Sequence, residues 1–311
     1  MELNLCTRLQ PGDIIDVIAP GYVSTEAELR GAIEYLKSHG FVPRVPDDLL
    51  SPEYFHSNSD QVRFEHLKTA LLAKDSKAIW CLRGGYGSNR LIPLLGKIKK
   101  PTRAKLLIGI SDITSLHLFL NQKWKWPSLH ASLLDRLGAG KVPQEIQEEL
   151  WDILRGEEKE TIFSGLAPLN EKARRVKKIQ ASVVGGNLTV LQSTLGTSIS
   201  VKAKGSFLFI EDIGERGYRI DRMLEQMKQA KVFQGCRGLL VGHFIGGEEP
   251  GNHTSRCQEA LQRFADENLL PVFSQVQAGH DMNQYPLPLG TKAQLSGGNN
   301  SWTLKVQTGL K

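Results

Sequence analysis

Three side chains in this 311-residue sequence have the types and settings that acyl transfer asks for: Ser111, Glu211 and His280. Ser111 follows Leu106-Leu107-Ile108-Gly109-Ile110, an apolar run of strand length, and precedes Leu118, Phe119 and Leu120, which carry helical apolar spacing. A sharp strand-to-helix bend projects its serine hydroxyl off the carboxyl edge of a sheet and turns neighbouring amides toward whatever that hydroxyl attacks. The stretch is not Gly-x-Ser-x-Gly, because Ile113 stands where the second glycine would be, and Ser111 or Asp112 can equally serve as a helix cap. A serine nucleophile needs a base, and the base needs an acid partner to fix its tautomer. Eight histidines are available. His117 falls inside the helix after the bend, and His39, His56, His66 and His253 have solvated neighbours. His280 differs, because it ends an apolar strand in a Gly-His step ahead of Tyr285-Pro286-Leu287-Pro288-Leu289-Gly290. Glu211 similarly closes Phe207-Leu208-Phe209-Ile210. The alternative for both is a polar surface residue at a strand end.

A second loop belongs with Ser111. Arg83-Gly84-Gly85-Tyr86-Gly87-Ser88 follows the strand Lys77 to Leu82, and its three glycines in four residues let backbone amides closely approach an anion or oxyanion. It matches neither the dinucleotide fingerprint nor the phosphate loop, and a tight turn is the alternative.

The elements that must hold these residues alternate. Ile14 to Pro20, Phe41 to Val45, Lys77 to Leu82 and the run before Ser111 read as strands. Between the first three lie a helix with Ser24 as cap and Gly40 beyond its end, and a second helix over Asp60 to Lys74. This pattern predicts parallel β-α-β units, whose ligands bind beyond the carboxyl ends of the strands. Ser128 to Leu134 reads as a further strand and Pro143 to Leu154 as a helix. The regular pattern lapses over Arg155 to Lys178, which divides the chain into residues 1–160, a linker at 161–178 and a second domain at 179–311. In the latter, helices over Tyr218 to Phe233 and Cys257 to Ala265 alternate with strands, and Ala293 to Val306 reads as a hairpin broken at Gly297-Gly298-Asn299-Asn300.

Bulk properties exclude several classes. Hydrophobic content of 40% and charged content of 23% are those of a folded globular chain. No 18-residue apolar run or basic-then-apolar leader is visible, so a cytoplasmic protein that does not enter a membrane is expected. The four scattered cysteines suit free thiols in a reducing compartment and lack metal-ligand spacing. The net charge of +6 gathers at Lys97 to Lys105 and Lys172 to Lys178, without interleaved aromatics; solvated loops rather than nucleic-acid contacts are expected there.

Six blocks, taken together, resemble the LD-carboxypeptidases, or muramoyltetrapeptide carboxypeptidases, a family that includes the microcin C self-immunity peptidases. They are Pro11-Gly12-Asp13 with Ile18-Ala19-Pro20, Arg83 to Ser88, Gly109 to Thr114, Gly185-Gly186-Asn187-Leu188, Glu211 to Glu215 with Tyr218 to Arg222, and Gly279-His280 with the Pro-rich loop. The resemblance implies an N-terminal flavodoxin-like or Rossmann-like domain and a C-terminal mixed, β-rich domain. It implies a triad of Ser111, His280 and Glu211, with an oxyanion hole at the amides of Gly85 and Asp112. Arg83 and Tyr86 are candidate substrate contacts. No metal or cofactor is expected, a muropeptide is the expected substrate, and a homodimer the expected assembly. One departure stands out: Leu129-His130-Ala131-Ser132-Leu133 replaces a His-Gly-Pro-like segment common in the family. A microcin-type activity on aminoacyl-adenylate mimics would want an aromatic platform, for which Trp124 or Trp126 can be nominated, with burial in the core or at a dimer contact as the favoured alternative for both. A non-catalytic binding protein on the same fold is the third reading.

Overall fold

The computed structural model describes residues 5–251 and 254–311, so His253 lies outside the described residues. The N-terminal half runs β1 (Ile14–Ile18), α1 (Glu26–Ser38), β2 (Val42–Arg44), α2 (Asp60–Leu72), β3 (Ser76–Cys81), α3 (Ile92–Leu95), β4 (Leu106–Gly109), α4 (Thr114–Phe119), β5 (Ser128–His130), α5 (Leu134–Gly138) and α6 (Gln144–Arg155). Its five strands are parallel in the order β5-β4-β3-β1-β2. Helices cover such sheets on both faces, which is why β1 and β4 are almost wholly buried and read as unbroken apolar runs.

The C-terminal half runs β6 (Glu160–Pro168), α7 (Glu171–Arg174), β7 (Lys178–Asn187), α8 (Leu188–Ser193), β8 (Ser206–Ile213), α9 (Gly217–Gln229), β9 (Gly238–Ile245), α10 (Cys257–Glu267), β10 (Val272–Ser274), β11 (Leu287–Leu289), β12 (Lys292–Gly298) and β13 (Ser301–Gln307). All of these strands except β11 close into a barrel, β10-β6-β13-β12-β7-β8-β9. The run β7-β8-β9-β10 is parallel and the remaining pairs are antiparallel. Phe163, Leu166, Phe207, Phe209, Phe273 and Trp302 share one apolar cluster there. β11 leaves the barrel and pairs antiparallel with β5 at the edge of the first sheet, Leu287 opposite His130.

Several local expectations change. Thr25 rather than Ser24 caps α1, in a capping box with Glu28, and Ser24 Oγ donates to the Glu28 carboxylate at 2.9 Å. The expected linker at 161–178 is mostly barrel: it holds β6, which pairs with β13 and β10, and then α7. The crossing between halves is the short turn after α6, where Gly156 ends the helix at φ +76°. Lys105 is no solvated loop residue. Its Nζ is buried, donating to Ser76 Oγ at 2.6 Å and Ala73 O at 2.9 Å beside Asp16, and burial pushes the amine down to about 8. The tail hairpin forms as expected, with Asn299 and Asn300 both at positive φ, as a type I′ turn requires. Among the described residues no helix is long and apolar enough to cross a membrane, and all four cysteines are free.

Candidate active site

Ser111 occupies the bend beyond β4 with φ +65°, the left-handed region that costs a non-glycine residue roughly 1–2 kcal/mol. A single 3₁₀ turn, Ser111–Ile113, then feeds α4. Neither Ser111 nor Asp112 caps these helices through its side chain. Asp112 instead clamps the glycine loop: its Oδ2 accepts the Ser88 amide at 2.7 Å, and its carbonyl accepts Ser88 Oγ at 2.5 Å. Burial pushes this carboxyl up to about 6, against the Ser88 and Gly87 donors. Gly84 packs on the serine so closely that a Cβ would lie 3.0 Å from Ser111 Cβ. The two loops suspected from sequence are therefore one unit.

The barrel supplies the other two residues. Glu211, wholly buried near the carboxyl end of β8, sits opposite Asn187 of β7, and its Oε2 lies 2.6 Å from His280 Nδ1. Gly279 has φ +130°, and a Cβ there would come within 3.1 Å of Glu211 Oε2 and of His243 Cβ, so only the Gly-His step lets the imidazole lie on the carboxylate. Burial works against the imidazolium, but the Glu211 charge and hydrogen bond outweigh it and hold the His280 pKa above the ordinary histidine value. Glu211 is itself pushed up by burial, with His280 pulling the other way. Arg136 on α5 donates to the His280 carbonyl at 3.2 Å, tying the histidine to the first half of the chain.

The seam between the halves is closed by residues that stand within the six sequence blocks but had been given no role of their own. Thr114, three residues after Ser111, accepts the Asn187 amide at 3.0 Å, and Gly186 lies against the threonine side chain with no room for a Cβ. Asp212, next to Glu211, holds Asn187 Nδ2 at 3.0 Å and the Thr189 amide and hydroxyl at 2.9 and 2.8 Å. No hydrogen bond joins Ser111 Oγ to His280 here, and catalytic bonds are commonly long before substrate binds. Gly85, at φ +89°, packs on Tyr22. Arg83 is half-exposed, 3.3 Å from Glu28 Oε1 and 5.6 Å from the Tyr22 ring. Tyr86 is 44% exposed beside Phe55 and His56. Trp124 and Trp126 are buried against each other at 4.8 Å and present no platform. A cavity of about 700 Å³ lined by Glu160, Gln180, Lys292, Gln294 and Lys305 belongs to the barrel and holds no triad residue.

A parallel sheet with a strained serine turn at its carboxyl edge, joined to a barrel that brings a histidine and a carboxylate, marks a serine peptidase of two-sheet architecture. The chain belongs to the LD-carboxypeptidase family: residues 15–131 match its N-terminal domain and residues 180–295 its C-terminal domain. It is 37% identical over 241 residues to a putative carboxypeptidase of Rickettsia conorii, covering 78% of this chain and 75% of the relative. It is 26% identical over 294 residues to a murein tetrapeptide carboxypeptidase of Pseudomonas aeruginosa, covering 93% and 94%. The solved muramoyltetrapeptide carboxypeptidase of Oxalobacter formigenes has the same fold, with a TM-score of 0.78 at 24% identity over 94% of this chain and 98% of that one.

Proposed function

We propose that the protein hydrolyses the amide between the L-centre of a diamino acid and the terminal D-alanine of murein tetrapeptides, with Ser111, His280 and Glu211 as its triad. The 2.6 Å Glu211–His280 pair, together with a serine at positive φ whose helix meets the neighbouring barrel strand through Thr114 and Asn187, supports this reading. Glu211 holds the Nδ1 proton, so Nε2 is the free base. Nε2 takes the Ser111 proton as Oγ attacks the carbonyl, and the oxyanion is held by the amides of Gly85 and Asp112. The tetrahedral adduct collapses, His280 gives its proton to the departing D-alanine nitrogen, and an ester remains on Ser111. Water, deprotonated by His280, then cleaves the ester and releases the shortened peptide. Each oxyanion donor is worth on the order of 10² to 10³ in rate.

Arg83 beside Gly84 is the proposed partner of the substrate's terminal carboxylate, displacing Glu28, and Tyr86 walls the same pocket. The remaining parts of the reading are a homodimer, which sedimentation checks, and a cytoplasmic place, where murein fragments are recycled. The microcin-type alternative loses its nominated platform, because both tryptophans are in the core.

The test is release of D-alanine from tetrapeptide in competition with a pentapeptide ending in D-Ala-D-Ala. A pocket closed beyond the leaving residue rejects the longer substrate by up to about 10⁴ when its carboxylate misses the cation. Equal consumption of both would remove the tetrapeptide assignment.

A further inference from the structure

Glu211 is wholly buried and its Oε2 is taken by His280; its Oε1 makes no hydrogen bond of ordinary length among the described residues, and the Asn187 side chain opposite it on β7 only helps to steady the carboxylate. His130, the last residue of β5, is also wholly buried, and neither of its ring nitrogens is hydrogen-bonded. Its ring stands edge-on to Phe209 at 5.2 Å. Phe209 and Glu211 are two apart in the regular pairing of β8 with β7, opposite Gly185 and Asn187, with Glu211 a step nearer the carboxyl end, where the pairing with β9 shifts register and His280 lies against the carboxylate. A third orphan adjoins them. His117 Nε2 lies 2.8 Å from the Gly109 carbonyl, which can only accept, so Nε2 carries the hydrogen and the buried Nδ1 is a bare acceptor without a partner. The His117 and His130 rings are 6.3 Å apart, whereas a direct N–H···N bond would set their centroids about 5 Å apart.

Each buried polar atom left unpaired costs about 1–3 kcal/mol, and native interiors satisfy such atoms with protein or ordered water. Taking Glu211 as the triad acid, we propose that His130 is a positioning residue, joined to Glu211 Oε1 through a buried water that His117 Nδ1 helps to hold. The water accepts the His130 N–H and donates one hydrogen to Glu211 Oε1 and the other to His117 Nδ1. Three partners are the usual number for an internal water. Burial, with the nearby imidazoles of His117, His280 and His243, keeps His130 uncharged, so it can steer the carboxylate without competing for its charge. With Oε1 held, the carboxylate plane is fixed and Oε2 stays on His280 Nδ1.

The test uses His130→Phe, which fills the space without a polar atom, and His130→Gln, which restores a donor. The groups that act on His280 are Glu211, Asp212, Arg136, His243 and His130 itself, with Asp281 acting on His243, and both variants leave all but His130 in place. Losing the donor to Oε1 concentrates charge on Oε2, so the His280 imidazole resonance, followed by NMR, should titrate roughly half a unit higher in His130→Phe. In the same variant kcat should fall about 10- to 100-fold with little change in KM, and His130→Gln should regain most of both. An unchanged His280 titration alongside a lowered melting temperature means that His130 only fills space, and overturns the proposal. The NMR readout needs no substrate: wild type that releases no D-alanine defeats the substrate reading while leaving this test intact. Should His130→Phe not fold, a crystal structure that orders internal water decides. Density bridging His130 and Glu211 supports the proposal, and direct contact or a dry gap overturns it.

Discussion

Ser111 holds a left-handed backbone with a side chain that caps no helix, so its replacement separates chemistry from folding. Ser111→Ala should keep the melting temperature within a degree or two and abolish D-alanine release. Ser111→Gly should be equally inactive, yet about 0.5–1 kcal/mol more stable than the alanine variant in urea, because glycine takes φ +65° without strain. Glu211→Gln should lose much of kcat through the wrong His280 tautomer, while Glu215→Gln, whose carboxylate pairs with Arg219 at 2.5 Å, should lose little. The reverse order would exchange the two assignments. If His280 is the proposed base it must be neutral to act, and its pKa is raised, so the acid limb of kcat/KM should fall above the unperturbed value of about 6.5. A profile level from about pH 5 to 8 would exclude a histidine base. Ser111, Glu211 and His280 could be nominated because each follows an apolar run in the sequence, although β8 runs on to Ile213 and β10 stops at Ser274. Thr114, Asp212 and His130 could not, because their roles come from what packs against them in space and leave no local pattern.

The seam between sheet and barrel is an element-scale device, built from the start of α4 and the end of β7. Thr114→Val keeps the shape and removes the acceptor of the buried Asn187 amide, which should cost about 1–3 kcal/mol in urea unfolding and lower kcat by loosening Ser111 relative to His280. Gly186→Ala should be worse, since its Cβ would enter the Thr114 side chain at φ +142°. A variant stable and fully active at this position would mean that the seam does not position the site. The β-α-β alternation and the I′ hairpin were readable because period and turn residues agree. β6 was not: Gly165, at φ +75°, falls within a strand whose pairing with β13 shifts register, and the irregularity breaks the inside-outside alternation that would have revealed it.

At the scale of the whole molecule, apolar contact between the halves is continuous: Leu188, Leu191, Ile220 and Leu224 of the second half share a core with Leu116, Leu118 and Phe119 of the first. Separate production of residues 1–158 should therefore yield insoluble material, and a soluble, cooperatively melting fragment would show the halves to be independent. β11 extends the same dependence into the time course of synthesis. β5 has an open ladder edge until Leu287–Leu289 reaches it, and those residues are made only after β6 to β10. Pro288 within that strand then presents no amide of its own, so the finished sheet ends in a blunted edge. A nascent chain would meanwhile carry an unguarded strand while β6 to β10 are made, a period in which chaperones rather than the fold prevent edge-to-edge pairing. Ribosome-arrested chains should acquire protease resistance in the N-terminal sheet only once the arrest site lies far enough past Leu289 for β11 to clear the exit tunnel.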